Sequence, residues 1–164
     1  MTSAIEFGAN IGLNLKALHD FQPHLSLECV EINQKAVAEL KTLPWLNKVY
    51  EGSLLEFSAP RQYELAFTRG VLIHINPERL NTCYDLLYQS SNKYILIDEY
   101  YNPAPVKVSY RGNDEKLFKR DFAGELMDRY PDLEIVDYGF TYHRDPAYPL
   151  DDTTWFLLRK TSKA

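Results

Sequence analysis

Positive charge, cysteine and long apolar runs are scarce in this sequence, and each shortage removes a class of function. Eighteen Lys and Arg stand against 23 Asp and Glu, a net charge of −5. Nucleic-acid affinity is dominated by neutralising phosphates, so no nucleic-acid partner is expected. No stretch approaches the roughly 20 consecutive apolar residues of a membrane span. The first residues also lack the basic-then-apolar pattern of a secretory signal, which predicts a cytoplasmic location. Of the two cysteines, Cys29 lies in an apolar run and Cys83 in a helical pattern. Both read as reduced packing residues, not as a disulfide or a metal pair, and no metal site is expected. The densest basic cluster, Lys116, Lys119 and Arg120 with Arg111 upstream, is interleaved with Asp114, Glu115, Asp121 and Glu125. It is either a solvated mixed-charge face or the anion-binding edge of a substrate pocket.

What is present is an ordinary globular composition, 45% hydrophobic with 12 tyrosines, in a chain of 164 residues. That length predicts a single domain, 1–164, around one core. Short apolar runs alternate with helical patterns, the signature of βαβ units and a parallel sheet. Strands are expected at 4–7, 25–30, 49–50, 63–68 and 93–98. Helices are expected after Ile11, after the N-cap Asn33, from Pro77 and around Phe122 to Tyr130. Residues 99–118, with Pro103 and Pro105, read as a long irregular segment. The final strands, 133–140 and 153–158, lack a helical crossover between them, which predicts an antiparallel hairpin and one reversed strand in an otherwise parallel sheet.

In such a sheet, ligands bind beyond the carboxyl ends of the strands. At the first exit the sequence reads Glu6-Phe7-Gly8-Ala9-Asn10-Ile11-Gly12, a small-residue turn into a helix N-terminus. Glycine permits close backbone approach, and free N–H groups there suit an anion such as a carboxylate. Glu31, nineteen residues past Gly12, sits where an acidic side chain accepts hydrogen bonds from ribose hydroxyls. The turn departs from G-x-G-x-x-G, with Asn10 at the middle glycine and Leu13 at the last position, so a nucleoside cofactor without phosphates is favoured.

Glu6 to Gly12 resembles the E-x-G-x-G-x-G motif of class I S-adenosylmethionine-dependent methyltransferases. The resemblance implies a Rossmann-like α/β fold with a seven-stranded, mostly parallel sheet and S-adenosyl-L-methionine as cofactor. Glu31 matches the ribose-binding acid of that superfamily. Ser53 stands where many members carry an aspartate near adenine, and Thr68 to Ile75, including Arg69, resembles the segment lining the methionine end. Narrower runs, Gly70 to Pro77, Glu99 to Pro103, Tyr110 to Gly112 and Leu117 to Gly124, are similar to methylases associated with pseudaminic acid biosynthesis. This implies a small acceptor, a sugar or sugar nucleotide of surface or flagellar glycan synthesis, and a bacterial, cytoplasmic enzyme. Members carry residues ahead of the first strand, so the expectation here is a domain lacking most of that extension.

Methyl transfer requires alignment of the acceptor and, for a hydroxyl or ammonium, a proton acceptor. His74, Glu99 and Tyr100 are the candidate catalytic groups. Tyr101, Arg111, Lys119, Arg120 and His143 are the candidate substrate-binding groups. His143 with Asp145 also invites reading as a dyad, although neighbours in one loop rarely converge. A monomer or homodimer is expected. Two rivals stay open: a non-catalytic methyltransferase-like binding module and a nicotinamide-dependent reductase.

Overall fold

The computed structural model describes residues 1–110, 113–147 and 149–161; side chains at 109–110 and 113–116 fall outside that description. Among the described residues, nine strands and four α-helices run in the order β1 (Ser3–Phe7), α1 (Leu13–Phe21), β2 (Ser26–Glu31), α2 (Gln34–Leu40), β3 (Lys48–Glu51), β4 (Tyr63–Arg69), α3 (Leu80–Ser90), β5 (Ser91–Glu99), β6 (Val106–Tyr110), β7 (Asn113–Lys119), α4 (Phe122–Arg129), β8 (Leu133–Thr141) and β9 (Thr153–Lys160). Seven strands form one sheet in the order β3-β2-β1-β4-β5-β9-β8. All neighbouring pairs from β3 to β5 are parallel, while β9 is antiparallel to both β5 and β8. The expected reversed strand is therefore present, inserted between its neighbours instead of being added at an edge.

Side-chain alternation along the central strands divides the core between the two faces. Ala4, Leu27, Cys29, Leu65 and Phe67 pack with Leu15 of α1 and Leu40 of α2. Ile5, Phe7, Ala66, Ile95 and Ile97 pack with Cys83 and Leu87 of α3 and with Phe122 and Leu126 of α4. The two cysteines are buried, free and assigned to separate clusters. Burial pushes each thiol up to about 12. The Asn33 cap forms as predicted, its side chain accepting from the amides of Lys35 and Ala36. No helix among the described residues is long and apolar enough to cross a membrane.

One expectation is corrected. Residues 99–118 are not irregular, because β6 and β7 pair as an antiparallel hairpin, with Val106 opposite Lys119 and Val108 opposite Leu117. Pro103 and Pro105 exclude helix but precede the strand, where proline costs no ladder bond. Leu117 of β7 enters the core beside Leu72 and Ile73. The hairpin thereby closes one side of the space above the sheet's carboxyl ends.

Candidate functional site

Five positive-φ residues among those described surround that space: Gly8 (77°), Asn10 (49°), Gly12 (82°), Gly52 (144°) and Gly70 (64°). A Cβ on Gly8 would stand 2.6 Å from Val71 Cγ2, and one on Gly12 would stand 2.8 Å from Leu40 Cδ2. Asparagine is among the few side chains that tolerate a left-handed backbone, which is why Asn10 serves where glycine is usual. The turn also binds itself to β2. The amides of Gly8 and Ala9 donate to Val30 O, and that of Gly12 donates to Ala9 O. The Asn10 amide donates to Glu31 Oε2 at 2.7 Å. With these four N–H groups committed internally, the turn is poorly equipped to cradle a pyrophosphate.

Glu31 is 6% exposed, its other oxygen accepting from the Asn33 amide at 2.7 Å. Two backbone donors thus fix its carboxylate. Each oxygen retains a lone pair for a further donor. Glu31 lines a cavity of about 390 Å³ together with Ile32, Gly52, Ser53, Leu54 and Val71. Ser53 also accepts from the Leu55 amide, which holds this wall in a tight turn. A second cavity of about 460 Å³ is lined by Asn10, Asn14, Arg69, Ile73, Tyr100, Leu117, Asp151 and Thr153 among others. Gly8, Gly70 and His74 border both cavities. The two spaces therefore meet over the β1 turn as one elongated cleft.

A chain of polar contacts runs along the cleft's floor. Asn14 Nδ2 donates to Glu6 Oε1 at 2.7 Å, Arg69 Nη1 donates to Asn14 Oδ1 at 3.1 Å, and Arg69 Nε pairs with Asp98 Oδ2 at 2.9 Å. Glu6 is fully buried, and its Oε2 has no hydrogen-bond partner. Burial pushes its carboxyl up to about 8, opposed by the Asn14 amide and the Arg69 charge and reinforced by Glu31. Asn14 and Asp98 were not assigned a role from sequence. The signal for Asp98 was an acid at the carboxyl end of a central strand, and for Asn14 a polar residue in the first turn of the first helix.

The candidate catalytic trio separates. Glu99 is 2% exposed and faces away from the cleft, so the expectation that it acts on substrate is corrected. Its Oε1 accepts from the amides of Val71 and Leu72 at 3.0 and 3.1 Å, and its Oε2 from that of Ile73 at 3.4 Å. Burial pushes it up to about 7 against the pull of these donors. What Glu99 does is anchor the single 3-10 turn of 72–74 that carries His74. His74 is exposed at the junction of the two cavities, not tucked beneath the sheet edge. Tyr100 lines the larger cavity and donates from its hydroxyl to Asp151 Oδ2 at 2.8 Å.

The candidate substrate residues lie mostly outside the cleft. Tyr101 and Arg120 border a separate void of about 10 Å³ with Glu99 and Phe122. Arg120 Nε is paired with Glu125 Oε1 at 2.7 Å, so its charge is already engaged with α4. Lys119 stands over the Tyr100 ring, Nζ 5.1 Å from the centroid, without lining the cleft. His143 pairs with Asp152, not Asp145: Nδ1 lies 2.8 and 2.9 Å from the two carboxylate oxygens, on the exposed surface of the β8–β9 connection. Asp145 instead accepts from the Ala147 amide within its own turn. Arg111 lies outside the described residues. Among the described residues, no group of three His, Cys, Asp or Glu side chains is placed to hold a metal ion.

Sequence comparison finds no matching family model and no matching curated protein. Comparison of structures does find matches. The 1,6-didemethyltoxoflavin N1-methyltransferase of Burkholderia thailandensis, solved with its substrate and S-adenosylhomocysteine, is 14% identical, with a TM-score of 0.75 over 98% of this chain and 71% of that one. The magnesium protoporphyrin IX methyltransferase of Synechocystis, with bound S-adenosylmethionine, is 14% identical, with a TM-score of 0.69 over 96% and 69%. An O-methyltransferase from a polyketide synthase of Brevibacillus brevis, with S-adenosylhomocysteine, is 14% identical, with a TM-score of 0.73 over 97% and 66%. The fold is the Rossmann-like, seven-stranded sheet shared with these methyltransferases.

Proposed function

We propose that this chain is an S-adenosylmethionine-dependent methyltransferase acting on a small acceptor. The observation that carries the reading is the single cleft in which a nucleoside-sized end, bordered by Glu31, and an acceptor-sized end, bordered by Tyr100, meet at His74. The residues present fit the cofactor. Glu31 has acceptor capacity left for two ribose hydroxyls, while Ile32, Leu54 and Ser53 offer an apolar slot with one hydroxyl for adenine. Asn14 and Arg69, which line the larger cavity, supply polar partners for an amino-acid moiety. The internally bonded turn suits a cofactor with no pyrophosphate.

When bound, S-adenosylmethionine supplies an electrophilic methyl carbon on a sulfonium. The chain's own tasks are then to align the acceptor and exclude water, for which Ile73, Leu117 and Leu150 form the apolar wall. An imidazole nitrogen of His74 is the group placed to take the acceptor's proton. Tyr100 orients the acceptor, with Glu99 fixing the turn beneath His74. The resemblance to pseudaminic acid-associated methylases supports a sugar-type acceptor in glycan synthesis and a cytoplasmic enzyme.

Isothermal titration separates this reading from the reductase. S-adenosylhomocysteine is expected to bind at one site per chain and NAD(H) not to bind. Binding of NAD(H) without S-adenosylhomocysteine would remove the proposal.

A further inference from the structure

The acceptor end of the cleft has a charge character that the surrounding sequence does not announce. Beyond Arg69 and His74, its described lining supplies oxygens: the Asp151 carboxylate, the Tyr100 phenol and the Thr153 hydroxyl, set among Ile73, Leu117 and Leu150. Thr153 is 6% exposed, and its Oγ1 has no hydrogen-bond partner. A buried hydroxyl left unpaired in a cavity wall costs stability unless something else satisfies it. Asp152 adds a second carboxylate beside Asp151 in the chain, held by His143.

Of the basic residues that suggested an anion site, Arg111 and the side chain of Lys116 lie outside the described residues. Arg69, the one arginine among the described lining residues, is bonded through Nε to Asp98 and through Nη1 to Asn14. Arg120 is engaged by Glu125 on the far side of β7, and Lys119 lies over the Tyr100 ring without lining the cleft. A phosphate placed against Asp151 would meet a like charge at close range. An ammonium placed there would meet a carboxylate, a phenol oxygen and a hydroxyl, all able to accept its protons.

Resting on the methyltransferase reading above, we infer that the acceptor end of this cleft takes a small, phosphate-free acceptor bearing an ammonium group, recognised by Asp151, Tyr100 and Thr153. This narrows the sugar-type acceptor to one whose charge is positive or absent. The Tyr100–Asp151 hydrogen bond ties the β8–β9 connection to the end of β5 and holds the carboxylate where the acceptor arrives.

Three probes of nearly equal size and different charge test the inference: glucosamine, glucose and glucose 6-phosphate. Each is titrated into the full chain saturated with S-adenosylhomocysteine, with binding followed by NMR shifts of backbone amides at Tyr100, Asp151 and Thr153. The expected order of affinity is glucosamine, then glucose, then glucose 6-phosphate, with at least about fivefold between the first and last, the scale of a partly exposed ion pair. Asp151→Asn is expected to remove the preference for glucosamine over glucose while leaving S-adenosylhomocysteine binding unchanged. Thr153→Val is expected to weaken all three. Glucose 6-phosphate binding as tightly as glucosamine, or glucosamine shifting none of these amides, overturns the inference. Failure of S-adenosylhomocysteine to bind in the same samples overturns the underlying function instead, so the two failures are distinguishable.

Discussion

Two glutamates on adjacent strands meet opposite fates. Glu28, three residues before Glu31 on β2, is surrounded by partners: the hydroxyls of Tyr50 and Tyr63 donate to its Oε2 at 2.8 and 2.6 Å, and Arg61 donates to its Oε1 at 2.6 Å. These donors hold its carboxyl below the usual range despite the opposing effect of burial. Glu6 on β1 has one donor, Asn14, and an oxygen with none. Burial therefore dominates at Glu6 and lifts its carboxyl to about 8. Where the fold needs a carboxylate for its own cohesion, it surrounds it. At the carboxyl end of β1 it leaves one oxygen without a partner.

The contrast is broken most severely by Glu28→Ala. That change strands two phenols and a guanidinium and is expected to cost about 3 kcal/mol of stability in urea unfolding. S-adenosylhomocysteine affinity, measured well below the new midpoint, should be unchanged. Next comes Glu31→Ala, expected to weaken S-adenosylhomocysteine by about 30- to 100-fold in isothermal titration, since two hydrogen bonds to a charged group are lost. Its effect on unfolding should be smaller than that of Glu28→Ala.

Glu6 gives the most diagnostic pH dependence. Its folded-state carboxyl is raised, so the native protein keeps a proton that the unfolded chain has released. Stability from this group is full below roughly pH 4.5 and is lost as pH rises toward 8. Glu6→Gln keeps the shape without the titration, so its melting temperature relative to the parent should climb from pH 5 to pH 8. At Glu28 the sign reverses: the carboxyl is lowered, and its contribution is present above the usual carboxylate range and lost in acid. A flat Glu6→Gln difference across pH 5 to 8 would show that Glu6 is not the unsatisfied partner of the pair. The smallest expected effect is that of Arg120→Ala. It removes a partly exposed pair with Glu125 and should cost about 1 kcal/mol or less, with no change in cofactor affinity.

Periodicity made the β1–β5 core, the Asn33 cap and the reversed strand legible, because buried parallel strands are continuous apolar runs and caps have their own chemistry. The β6–β7 hairpin was not legible, because Pro103 and Pro105 mask the alternation of Val106, Val108 and Tyr110 with polar residues. At the end of β5, Glu99, Tyr100 and Tyr101 are three consecutive site candidates. A strand places neighbours on opposite faces, so only Tyr100 reaches the cleft while Glu99 and Tyr101 turn the other way. The pairing of His143 with Asp152 was not readable, since it spans the β8–β9 connection and no local spacing encodes it. The unpaired oxygen of Glu6 was equally hidden, because only three dimensions show which donors fail to arrive.

The insertion of β9 between β5 and β8 sets an order of events during synthesis. Everything that borders the Glu31 end is contributed by residues 8–75, yet the opposite wall waits for Leu150, Asp151 and Thr153. Because β8 bonds within the sheet only to β9, its ladder can form only once β9 is present to pair with it. A nascent chain can thus shape a nucleoside berth early, but its wall for a second reactant is completed only when that closing strand zips two preformed parts together.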